Sequence, residues 1–60
     1  VSIKGKREER GLTQTELAGM VNVGQNTVSQ WETGERKPRV DMLMQLAKIF
    51  GCTVDELLKG

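Results

Sequence analysis

The stretch "GLTQTELAGMVNVGQNTVSQWETG", Gly11 to Gly34, decides how this chain folds. Within it, "TQTE" at Thr13 to Glu16 has the spacing of a capping box. The Thr13 hydroxyl can accept from the Glu16 backbone N–H while the Glu16 carboxylate reaches back to the Thr13 N–H. A helix therefore starts here. Its apolar residues Leu17, Ala18 and Val21 fall at i, i+1 and i+4, and Leu12, just before the cap, can staple onto that inner face. "NVG" at residues 22–24 then breaks the helix. Asn22 tolerates positive φ better than any residue but glycine, which suits a sharp turn with no room for a long loop. A further helix follows from about Gln25 to Glu32. Helix, tight turn and helix make one unit over about residues 14–32, a helix-turn-helix.

The second member of that unit has two different faces. At about 100° per residue, Gln25, Asn26, Ser29 and Gln30 fall within one arc, whereas Thr27, Val28 and Trp31 fall on the other side. Val28 and Trp31 can pack inward on Leu17 and Val21, which leaves three amides and a hydroxyl outward. Side-chain amides are poor core material and poor catalysts. On an exposed helix they are either plain solvated surface or a reading face, because a carboxamide donates and accepts together and so matches the N6 donor and N7 acceptor of adenine in the major groove. The helix-turn-helix context favours the second, since its second helix enters that groove and presents its N-terminal residues to base edges. Trp31 could stack on a base, but its place on the apolar face assigns it to the core.

The rest of the chain reads as three more helices, giving an all-α fold of five helices with no competing strand pattern. Gly11, Gly34 and Gly51 each follow a last turn, where a left-handed cap requires glycine. The first segment, about Ile3 to Arg10, is short, charged and weakened by Gly5, so its order must come from packing through Ile3. In "ERKP" Pro38 restricts Lys37 and presets the chain ahead of the fourth helix, about Val40 to Phe50. That helix places Val40, Leu43, Ala47 and Phe50 on one stripe, widened by Leu46, and is the expected central packing element. "TVDE" at Thr53 to Glu56 is a second capping box, opening a short last helix through Leu57 and Leu58.

Composition bounds what such a fold can do. Sixty residues make one small domain, spanning 1–60. With 37% hydrophobic and 28% charged residues, the chain should fold as an ordinary globular protein. No apolar run approaches a membrane span and no signal segment is visible, so the expectation is a soluble, cytoplasmic protein with no membrane partner. The single cysteine, Cys52, cannot form an internal disulfide, and reads as a small packed or half-buried thiol. With no histidine and no second cysteine the usual zinc ligand sets are missing, so neither metal nor cofactor is expected. Catalysis is poorly supplied too. There is no histidine base, no tyrosine and no phosphate loop, and no nucleophile can be paired with a base. No small-molecule ligand is evident. Net charge is only +1, but the positive excess gathers in Arg36, Lys37 and Arg39, directly after the amide-rich helix.

These residues carry a resemblance. "GLTQTELAGMVNVGQNTVSQWETGERKP" followed by "LMQLAKIFGCTVDELL" resembles the DNA-binding domains of the Cro and phage-repressor type, the XRE-like, lambda repressor-like family of bacterial and phage regulators. The likeness covers almost the whole chain. It combines the small Ala18, the apolar Val28, the passage Trp31, Glu32, Gly34, Lys37 and Pro38, and the closing Asp55 to Leu58. It implies a compact five-helix fold that binds operator DNA as a homodimer on a near-palindromic site. It further implies that Gln25, Asn26 and Gln30 contact base edges with Ser29 beside them. Thr13, Gln14, Thr27, Arg36, Lys37 and Arg39 would meet the DNA backbone. Arg7 and Glu32 match a structural ion pair that ties the first helix to the reading helix.

Some positions depart from the family pattern. Gly24 stands where serine or threonine often caps the reading helix, at a cost of only a few tenths of a kcal/mol. Arg39 replaces a frequent serine cap, where Asp41 can compensate through the helix dipole. The dimer surface is expected on the last helix, through exposed parts of Phe50, Val54, Leu57 or Leu58, although those leucines fit a plain core equally well. The leading expectation is a small transcriptional regulator, a repressor that binds specific double-stranded DNA and is not an enzyme. An antitoxin or restriction-control protein of the same fold, and a helical protein-interaction module, stay open beside it.

Overall fold

The structure, a computed structural model, describes residues 3–58. Its elements are α1 (Ile3–Glu9), α2 (Gln14–Met20), α3 (Gln25–Thr33), α4 (Val40–Phe50) and α5 (Val54–Leu58). No strand occurs among the described residues.

The helix ends follow from left-handed residues at the expected places. Gly11, Gly34 and Gly51 have φ of 67°, 84° and 64°, and Asn22, the only non-glycine with positive φ among the described residues, has φ 62°. Three of these ends close in the same way. The residue after the left-handed one donates its N–H back five positions: Leu12 to Arg7 at 3.1 Å, Val23 to Ala18 at 3.0 Å and Cys52 to Ala47 at 3.0 Å. Asn22 thus does at the α2–α3 corner what glycine does elsewhere. At Gly51 a side chain would also meet a neighbour, since an added Cβ would lie 3.1 Å from Arg10 Nη2.

Helix starts are less uniform. Thr13 and Glu16 form the full capping box, with bonds of 2.9 and 3.1 Å. Gly24 and Arg39 cap α3 and α4 in extended conformation without a side-chain bond. Asp41 compensates at α4, where its carboxylate accepts from the Met42 N–H at 3.0 Å. At α5 only the first half of the expected box is seen: Thr53 Oγ1 accepts from the Glu56 N–H at 3.2 Å. The Glu56 carboxylate instead pairs with Lys6 of α1 at 3.6 Å, so an interhelix ion pair replaces the reach back to the cap.

The core joins all five helices. Leu17, Val28 and Leu46 are completely buried, surrounded by Ile3, Ala18, Val21, Leu43, Ala47, Phe50 and Leu57. Each fully buried aliphatic side chain contributes about 1.5–3 kcal/mol. Helix α4 supplies four of these residues and is the central element. Val40, expected on its apolar stripe, is instead 71% exposed. It sits at the very start of α4, about 70° from the centre of the arc set by Leu43, Leu46, Ala47 and Phe50, and so projects past the core.

Candidate nucleic-acid interface

Helix α3 is pinned from below and polar above. Val28 reaches the core with no exposed surface, and Trp31 packs half-buried against the same cluster, so the opposite side must face outward. Gln25 and Asn26, in the first turn, are exposed. Ser29 and Gln30 are only half-buried on that side, less open than the helical wheel alone suggests, and Thr27 is half-buried too. Gln30 makes bonds at both its side chain and its backbone. Its Nε2 donates to Glu35 at 3.4 Å, and its carbonyl accepts from the Thr33 hydroxyl at 3.3 Å and from the Arg36 N–H at 3.2 Å.

Beneath this face runs a chain of hydrogen bonds from α1 to the tip of α3. Arg7 Nε donates to Glu32 Oε2 at 2.7 Å and its Nη2 to Oε1 at 3.3 Å, so the ion pair is bidentate. Only 11% of the Arg7 side chain and 5% of the Glu32 side chain are exposed. A third bond runs from Arg7 Nη1 to the Leu12 carbonyl at 2.7 Å, which fixes the entry to α2. Gln14 Nε2 then donates to Glu32 Oε1 at 2.9 Å, and Gln25 Nε2 donates to Gln14 Oε1 at 2.5 Å. Burial pushes the Glu32 carboxyl up, but the hydrogen bonds from Arg7 and Gln14 and the Arg7 charge together outweigh it. The net result lies below the ordinary carboxylate range. The bond to Glu32 raises the Arg7 guanidinium further, against the opposing effect of burial.

A shallow hollow lies on the C-terminal side of α3. Thr27 and Trp31 form one wall, and Arg36, Lys37 and Arg39 border it from the connecting loop, together with Pro38, Asp41 and Met42. The loop cations are exposed. The residues expected at the interface are therefore grouped around one helix. Gln25, Asn26, Ser29 and Gln30 line α3, Thr13 and Gln14 flank its N-terminus at the start of α2, and the basic loop flanks its other end.

The expected dimer surface divides differently. Phe50 and Leu57 are 4% and 6% exposed and belong to the core, because both lie on the inner faces where α4 and α5 meet. Neither can serve as surface. Val54 is half-buried and Leu58 is 64% exposed, so these two alone remain available from that group.

Reading the sequence residue by residue missed the links among side chains. Gln14 and Gln25 are eleven positions apart, and no local pattern joins them. The signal that could have found them is the turn itself: a tight corner brings the first residues of two successive helices side by side.

The geometry is that of known proteins. The helix-turn-helix family profile matches residues 3–57. The HTH-type transcriptional activator BcrR of Enterococcus faecalis is 39% identical over 54 residues, 90% of this chain and 26% of the relative. The repressor protein C2 of Salmonella phage P22 is 38% identical over 58 residues, 97% of this chain and 27% of the relative. The chain thus spans about a quarter of the length of these two proteins. The crystal structure of the P22 c2 repressor in complex with a synthetic operator superposes with a TM-score of 0.89 at 38% identity, covering 97% of this chain and 88% of that one. Five helices in a lambda repressor-like arrangement, matched over nearly their whole extent, place this chain in the helix-turn-helix family.

Proposed function

We propose that this chain is a sequence-specific double-stranded DNA-binding domain of a transcriptional regulator, a repressor that works by occupying its operator. The observation that carries the reading is the outward amide face of α3, held from below by the Arg7–Glu32–Gln14–Gln25 chain. In the major groove Gln25 and Asn26 meet base edges, with Ser29 and Gln30 further along the helix. Thr13 and Gln14 approach the sugar–phosphate backbone at the start of α2, and Arg36, Lys37 and Arg39 approach it beside Thr27. The hollow there is bordered by three cations against one acid, Asp41, a net positive border that suits a backbone phosphate. The likeness to a repressor crystallised with an operator supports the same reading.

Two copies would place their reading helices about 34 Å apart, in successive major grooves of a near-palindrome. Leu58, with Val54 beside it, is the apolar surface proposed for that pairing. Among the described residues no helix is long and apolar enough to cross a membrane. The role is one of binding, not catalysis. The likeness to an activator favours a second outcome of the same contacts, activation from the bound site.

Selection from a random duplex pool tests the proposal. The winner and a scrambled control are titrated across salt. A near-palindrome bound about 10³-fold or more tighter than the control is expected. Equal, weak affinity for both duplexes contradicts it.

A further inference from the structure

We infer that Glu32, beneath the reading face and away from any base, sets the base preference of Gln25 by fixing, through Gln14, which end of its carboxamide points outward. The inference rests on the DNA-reading proposal above. It follows from the direction in which each hydrogen bond must run. An ionised carboxylate only accepts, so Gln14 can meet Glu32 Oε1 only with its Nε2, as it does at 2.9 Å. That turns Gln14 Oε1 toward Gln25. An amide oxygen also only accepts, so Gln25 must offer its Nε2 in return. What remains for a ligand is Gln25 Oε1 and one N–H of its Nε2.

That remainder matches one purine and not the other. Adenine shows a donor at N6 and an acceptor at N7, which pair with the outward oxygen and the free N–H. Guanine shows acceptors at both O6 and N7, so Gln25 Oε1 would face another oxygen. A glutamine amide free to turn about its last torsion could present two N–H groups to guanine instead, because that torsion is broad and roughly two-fold. Glu32 prevents the turn, and Arg7 prevents Glu32 from moving, since both carboxylate oxygens are held by the guanidinium. Glu32 is thus a positioning residue for specificity.

The two neighbouring amides sharpen the point. Gln30 gives its Nε2 to the exposed Glu35 in a long contact of 3.4 Å, which restrains it only loosely. Asn26 makes no side-chain hydrogen bond among the described residues, so the base it meets decides which way it turns. The face combines one fixed reader, Gln25, with adaptable ones.

The test compares duplexes that differ only by A·T or G·C at the base pair whose discrimination Gln25→Ala abolishes. The unaltered protein is expected to prefer adenine there by about 10-fold or more. In Glu32→Gln the new amide can donate to Gln14 Oε1 and reverse the whole chain, so the preference falls below about threefold or inverts toward guanine. Gln14→Leu cuts the chain while leaving the Arg7–Glu32 pair in place. It should lose the preference as well, with weaker binding to both duplexes, and it serves if Glu32→Gln does not fold. A merely structural role would weaken both duplexes equally and leave the ratio intact. Folded variants that keep the full adenine preference overturn the inference and leave the DNA-reading proposal standing, as does a guanine preference in the unaltered protein. If no base pair is discriminated by the unaltered protein, the reading itself fails and the inference fails with it.

Discussion

The two ends of α3 present polar groups in opposite ways. At its N-terminal end, Gln25 is the last of four side chains joined by hydrogen bonds, and the half-buried charges of that chain are matched to each other. At its C-terminal end, Arg36, Lys37 and Arg39 are exposed cations on a loop, anchored by backbone geometry at Gly34 and Pro38. The first arrangement fixes donors and acceptors in direction, which discriminates one base from another. The second supplies charge without direction, which draws any duplex. Specificity needs preorganised groups, whereas affinity for phosphate is satisfied by mobile ones.

The largest test of this contrast is to remove the anchor. Glu32→Ala leaves the half-buried Arg7 guanidinium without its carboxylate partner, and should cost about 2–3 kcal/mol, read as a fall in the urea midpoint. An unchanged midpoint would show that the ordered end does not depend on the ion pair. Acid probes the same anchor without a mutation. Because the folded carboxyl of Glu32 lies below its unfolded value, its contribution is full above the unfolded value and is lost as pH falls through the lower, folded one. Stability measured downward from about pH 5 should therefore fall more steeply in the unaltered protein than in Glu32→Gln. Parallel curves would remove Glu32 from the account.

Next in size is the reading residue. Gln25→Ala should cost on the order of 1–3 kcal/mol on the selected site and relax preference at one base pair, measured by titrating single-substitution duplexes. A uniform loss over all duplexes would erase the distinction between the two ends. The smallest effect concerns the cap that precedes this end. An added Cβ at Gly24 meets no atom within 4 Å, and its φ of −80° suits any residue. Gly24→Ser should accordingly raise stability by a few tenths of a kcal/mol in thermal melts. A loss would mean that the cap tolerates no side chain.

Much of this architecture is legible in the sequence because it is local. Gly11, Asn22, Gly34 and Gly51 announce the helix ends, and Thr13 with Glu16 announces one start, since each depends on residues within one turn of chain. The pairing of Arg7 with Glu32, 25 positions apart, is reached only through family resemblance. Failures occur where packing between helices decides. The Glu56 carboxylate satisfies the capping pattern but is taken by Lys6, which sequence spacing cannot reveal. Val40 has the right periodicity but lies beyond the end of the layer, Phe50 is core instead of surface, and of the two readings open for Leu57 the core one holds. The Gln14–Gln25 link is of the same kind: it depends on how tightly α2 and α3 approach at their shared corner.

The most direct measurement is the affinity of Gln25→Ala and Lys37→Ala for the selected operator and for a scrambled duplex, across a range of salt. Gln25→Ala should weaken the operator by about 1–3 kcal/mol while barely changing the scrambled duplex. Lys37→Ala should weaken both alike and reduce the salt slope by about one. Equal losses on both duplexes for both variants, with unchanged salt slopes, would contradict the division of α3 into a directional end and a charged one.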